Sequence, residues 1–198
     1  MSPIYKLSAN SLALGRTSYR DFLMGNTVFN PWAPQGAMDA LGSVTVPSGG
    51  LSSITFSAIP QTYTHLQIRG FANNTTTTTE ALLQFNGDTS SGSTSYSWHT
   101  LQGNGSSASA ASGTSTNGMK VHQSSTNFGG SIIDILDYTS TTKNKVVRSL
   151  NGWDGNGSGD IFLWSGSWYN QSPITSLTIG FAAATLGQYS NFSLYGIR

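Results

Sequence analysis

The sequence predicts an all-β fold, a sandwich or barrel, and three observations carry that expectation. Short stretches alternate apolar and polar residues with period two. Turn residues rich in Gly break them at spacings of roughly 8–15 residues, which gives about 9–10 strands. Charged residues are only 9% of the 198-residue chain, against about 25% in an ordinary soluble domain. In their place stand 31 Ser, 23 Thr, 14 Asn and 23 Gly. A surface kept wet by hydroxyls, amides and backbone has weak long-range repulsion. It suits a protein held in a large assembly better than one that diffuses freely.

The strands follow in order. Val44 and Val46 alternate ahead of the Pro47-Ser48-Gly49-Gly50 turn. Residues 51–57 make a second strand, ended by Ile59-Pro60. Residues 63–71 make a third, with Leu66 and Ile68 on one face and His65, Gln67 and Arg69 on the other. A fourth spans 80–86 and closes at Asn86-Gly87-Asp88; a fifth spans 94–101. A loop rich in Gly, Ser, Ala and Thr is expected over 103–118. Residues 131–138 and 145–153 form the next pair, and 161–169, 173–181 and 189–197 complete the set. Two strands read as buried on both faces, because Ile132, Ile133, Ile135 and Leu136, and then Ile161, Phe162, Leu163 and Trp164, are apolar throughout. They are either central strands or strands covered by a neighbouring copy. The expected body is a jelly-roll-like antiparallel β-sandwich over residues 43–198.

Residues 1–42 differ. They hold three of the six prolines and show no strand alternation. Ser18 can cap a short helix that Gly25 stops, with Tyr19, Phe22 and Leu23 on one face. Phe29 and Trp32 follow in an extended stretch fixed by Pro31 and Pro34. The expectation is an N-terminal anchoring arm whose Tyr19, Phe22, Leu23, Phe29 and Trp32 dock on a neighbouring subunit or a partner. The alternative is that they fold back on the sandwich.

Charge and composition exclude several functions. Nine Lys and Arg against eight Asp and Glu leave a net charge of +1, with no electrostatic footprint for nucleic acid. No apolar run approaches the roughly 18 residues of a membrane-spanning helix. Residues 1–15 lack a basic stretch followed by a long apolar one, so no secretory leader is expected. The chain has no Cys, which removes disulfides, thiolate metal sites and thiol catalysis and fits assembly in a reducing cytoplasm.

Catalytic motifs are missing as well. There is no G-x-S-x-G, H-E-x-x-H or phosphate-binding loop. His65, His99 and His122 are far apart, and Asp134 and Asp137 project to opposite faces of their strand. No enzyme activity, cofactor or metal is therefore expected. One weak calcium-loop candidate is present: Asp154, Asn156, Ser158 and Asp160 place oxygen-bearing side chains at alternate positions. The acidic residue that should complete the loop is missing, with Ser165 in its place. Aromatics are the better signal. Phe162, Trp164 and Trp168 share one strand face, as core packing or as a stacking platform for a sugar ring. Tyr96, Trp98 and His99 are the candidate ligand face, beside loops 72–79, 87–95 and 102–118.

A resemblance sharpens the picture. Residues 43–46, 52–70, 83–88, 133–138 and 192–197 resemble a domain common in virion structural and tail-fibre-like proteins of tailed bacteriophages, especially aquatic ones. Residues 18–29 resemble a short segment that precedes such domains. The likeness implies a non-enzymatic virion protein, assembled in the host cytoplasm into a homotrimer and partnered by other virion proteins. The first expectation is a tail-fibre or receptor-binding component, anchored by its arm and touching host-surface glycan. The second is a capsid decoration protein at local threefold positions, bound to the major capsid protein. A third, a tail-associated glycan hydrolase, conflicts with the shortage of paired carboxylates.

Overall fold

The computed structural model describes residues 37–76, 78–89, 95–115 and 117–198. Among them the chain forms twelve strands and no helix. They are β1 (Met38–Thr45), β2 (Ile54–Phe56), β3 (His65–Ala72), β4 (Thr79–Phe85), β5 (Tyr96–Gly103) and β6 (Ala108–Ser115). Then come β7 (Met119–Ser124), β8 (Gly129–Leu136), β9 (Lys145–Asp154), β10 (Gly159–Trp168), β11 (Leu177–Phe181) and β12 (Asn191–Ile197). Eight strands pair in the order β1-β12-β3-β8-β9-β10-β5-β6, and four in the order β2-β11-β4-β7. Every pairing is antiparallel, and the two sheets make a β-sandwich-like body.

The core lies between the sheets and follows from the alternation. Leu66 and Ile68 of β3, Ile133 and Ile135 of β8 and Val147 of β9 are buried from one side. Leu83 and Phe85 of β4, Val121 of β7 and Ile179 of β11 meet them from the other. Each such side chain contributes about 1.5–3 kcal/mol by leaving water. Hydrogen bonds also tie the layers directly: among them, Ser149 Oγ donates to the Val121 carbonyl at 2.5 Å, and the Gln123 N–H donates to Asn151 Oδ1 at 2.8 Å.

Three expectations change. The segment 103–118 is largely β6, not a loop. Ser, Ala and Gly give no apolar rhythm, so nothing local announces this strand. It forms because β5 offers an edge, and the ladder runs unbroken from Tyr96↔Ser115 to Gly103↔Ala108. Gly113 is the enabling residue: a Cβ there would lie 2.9 Å from the Trp98 ring. The sheet also begins at Met38, inside the segment set apart by composition. Pairing with β12 draws residues 38–42 in, and a bulge between Ala40 and Gly42 lets Leu41 pack on the core. Finally, β8 and β10 are central but buried on one face only. The smaller sheet covers one side, and Ile132, Ile161 and Leu163 remain 44%, 58% and 52% exposed on the other. The short helix and the docking residues Tyr19, Phe22, Leu23, Phe29 and Trp32 lie outside the described residues.

Candidate functional site

Tyr96, Trp98 and His99 do not share a face. Tyr96 is fully buried. Asn86 and Gly87 both have positive φ, 52° and 69°, and build a two-residue turn between Phe85 and Asp88. That turn brings two backbone groups to the Tyr96 hydroxyl. It accepts from the Phe85 N–H and donates to the Asp88 carbonyl, both at 3.0 Å. Burial pushes the phenol up to about 12. Trp168 closes the corner, its Nε1–H donating to Asp88 Oδ2 at 2.7 Å. Tyr96 is therefore a core residue and makes no ligand face.

Trp98 and His99 are adjacent on β5, so they point to opposite sides of the sheet. Trp98 packs edge-on to Trp164 at 6.1 Å, beneath the Lys120 ammonium 4.3 Å from its ring centre. Phe162 stacks on Trp164 at 5.2 Å, and the two are 2% and 3% exposed. The three aromatics of β10 thus pack the interior and offer no open platform. His99 is exposed on the outer face.

The calcium-loop candidate is a hairpin turn between β9 and β10. Asp154 Oδ1 accepts from the Asn156 N–H at 2.7 Å, and the Gly155 N–H donates to the Ser158 carbonyl at 2.6 Å. Ser158 Oγ donates to the Gly155 carbonyl at 3.4 Å. Asp160 belongs to β10, where its Oδ1 accepts from Gln102 Nε2 of β5 at 2.7 Å. Among the described residues no group of three His, Cys, Asp or Glu could hold a metal ion. Asp154 and Ser158 bond within the turn, which is the ordinary use of Asp and Ser at such positions, and Asp160 bonds across to β5.

The same hairpin nevertheless belongs to a cleft. Strand order brings it beside the β5–β6 turn, where Asn104 Oδ1 accepts from the N–H groups of Ser106 and Ser107 at 3.0 and 2.9 Å. The β7–β8 connection lies alongside, with Asn127 Nδ2 3.1 Å from where a Gly155 Cβ would sit. Between them opens a cavity of about 500 Å³, lined by Asn104, Phe128, Trp153, Asp154, Asp160 and Ile161 with several glycines. Phe128 is held flat by Phe71, ring on ring at 4.7 Å and 4°. The cleft therefore offers apolar and aromatic surface, two carboxylates, an amide and backbone laid open by glycine. That set can take a polyhydroxylated ligand: rings cover its C–H faces while oxygens and amides meet its hydroxyls.

Sequence reasoning missed Asn104 and Phe128. Each follows a turn signal, but only the adjacency of β5 to β10 joins the two hairpin ends. The remaining histidines do other work. His65 Nδ1 accepts from the Asp137 N–H at 2.9 Å. His122 is fully buried, its Nδ1 3.0 Å from Asn151 Nδ2. Asp134 accepts from Gln67 Nε2 at 2.8 Å, and Asp137 pairs with Lys143 at 2.7 Å, which holds its carboxyl below the usual range. Comparisons with protein families, with curated proteins and with solved structures find no match to this chain.

Proposed function

We propose that this chain is a non-enzymatic surface component of a tailed-phage virion, a tail-fibre or receptor-binding module that contacts host-surface glycan through the hairpin-end cleft. The observation that carries the reading is the cleft's chemistry. Phe128 and Trp153 stand with Asn104, Asp154 and Asp160 around open glycine backbone. Its two carboxylates already accept hydrogen bonds within the fold, and no histidine lines it. That is a surface for binding and a poor one for acid–base hydrolysis, which needs a free carboxyl pair at a set separation. The low charge and the Ser, Thr, Asn and Gly surface agree with life in an assembly.

The test is retention on immobilised host polysaccharide. The full chain should bind, and Phe128→Ala and Asp160→Asn should each weaken binding roughly tenfold, the loss of one aromatic or charge-assisted contact. Both variants should keep the parent melting temperature within a few degrees. Unchanged retention in a folded Phe128→Ala protein removes the cleft from the reading. Release of sugar fragments from the polysaccharide removes the non-enzymatic part.

A further inference from the structure

The outer face of the eight-stranded sheet carries an uninterrupted apolar row. Successive register pairs link Ile132↔Leu150, Leu150↔Leu163, Leu163↔Leu101 and Leu101↔Ala110, so the row crosses β8, β9, β10, β5 and β6 at one level. Ile161 stands beside it on β10. These are not buried side chains: Leu101, Leu150 and Ile161 are 55%, 52% and 58% exposed. Soluble monomers rarely show so continuous an apolar band without a use for it.

We infer that this face packs against the same face of a second copy of the chain, about a two-fold axis running along β10. Three features select this occupant. The first is size. At roughly 100 Å² left bare on each half-exposed aliphatic side chain, the five offer on the order of 500 Å², the apolar share of a standard interface of about 800 Å² per partner. The second is shape. The row runs from a large residue, Ile132, to a small one, Ala110, with Leu163 at its middle. A shallow depression of about 470 Å³ lies at the small end, over Leu101, Ala110, Ser112 and Leu163. Rotation about β10 sets Leu163 on its own copy, Leu150 on the second copy's Leu101, and Ile132 over the second copy's Ala110. Large meets small at both ends, as a self-complementary patch requires. The third is charge. No ionisable group stands in the row itself, so closure at the usual sheet spacing of about 10 Å buries no charge within the apolar band. The flanking level carries Asp134, which accepts from Gln67 Nε2 at 2.8 Å, and Arg148, which the same rotation sets over the second copy's His99.

This pairing goes beyond the glycan reading and does not depend on the cleft. Sedimentation of the full chain over the micromolar range should give a dimer. Leu163→Asp places two carboxylates on the axis and should give a monomer. The chain has no cysteine, so single substitutions report geometry even where an aspartate variant fails to fold. Leu163→Cys should cross-link to itself through a short bis-maleimide reagent, which spans the sheet spacing that a direct disulfide does not, as should the double variant Ile132→Cys with Ala110→Cys. Thr178→Cys, on the outer face of the smaller sheet, should not. A wild-type monomer, a trimer, or cross-linking as strong at Thr178 as at Leu163 overturns the proposal.

Discussion

Acidification from pH 6.5 to about 4 should weaken the fold through one side chain, His122. The imidazole sits between Phe181 and Phe192, 5.8 and 6.3 Å from their ring centres, with no exposed surface. Burial pushes it down from 6.5 to about 4, against a weaker pull from the Ala72 backbone. Between those two values the unfolded chain holds a proton that the folded chain refuses. Stability is therefore complete above about pH 6.5, falls as pH drops through the window, and levels off below about 4. A difference of about 2.5 pH units at about 1.4 kcal/mol each makes the loss roughly 3 kcal/mol. Asp39 and Asp137 act elsewhere. Hydrogen bonds from Arg198 and Tyr63, and from Lys143, hold their carboxyls below 3.8, so their contribution disappears only at still lower pH. The assay is urea unfolding followed by tryptophan fluorescence at several pH values, with the slope m held constant. His122→Gln should flatten the pH dependence whatever its stability at neutral pH. A wild-type curve already flat through the window, or a variant that keeps the full slope, refutes the reasoning.

Two further substitutions probe the scaffold. Lys145 is fully buried, and its ammonium donates to the carbonyls of Ser140, Lys143 and Gln171 at 2.5, 3.0 and 3.1 Å. Lys145→Met keeps the packing but leaves these acceptors without their donor. It should cost about 2–3 kcal/mol in chemical unfolding, and a loss under 0.5 kcal/mol means that the loop finds other partners. Tyr96→Phe removes the hydroxyl between the Phe85 N–H and the Asp88 carbonyl. It should lower stability by about 1–3 kcal/mol, read from the melting temperature, and a neutral result places water or another donor at that corner.

The strands with side chains of contrasting polarity were legible in the sequence. Leu66 and Ile68 against His65, Gln67 and Arg69 define β3 and its inward face without any tertiary knowledge. The Asn86-Gly87 turn was equally plain, since two left-handed residues in a row ask for that pair. β6 was not legible, because Ser and Ala carry no instruction and the neighbouring edge of β5 supplies it. Tyr96 read as a surface aromatic because its partners, Phe85 and Asp88, are recruited by a turn whose position beside β5 is a tertiary fact. The cleft is the same case on a larger scale. Asn104, Phe128 and Asp154 lie in three separate connections, and only the order β8-β9-β10-β5-β6 brings those strand ends to one place. For β8 and β10 a strand apolar on both sides signals two contacts: the smaller sheet supplies one, and the outer face of Ile132, Ile161 and Leu163 is the one assigned above to a second copy.

The central claim is that the molecule works as a fixed part of a phage tail. Gold label attached at an Asn156→Cys substitution, in the exposed hairpin beside the cleft, and imaged on intact particles tests it directly. Label confined to the tail is the predicted result. Label spread over the head, or particles that carry none, contradicts it.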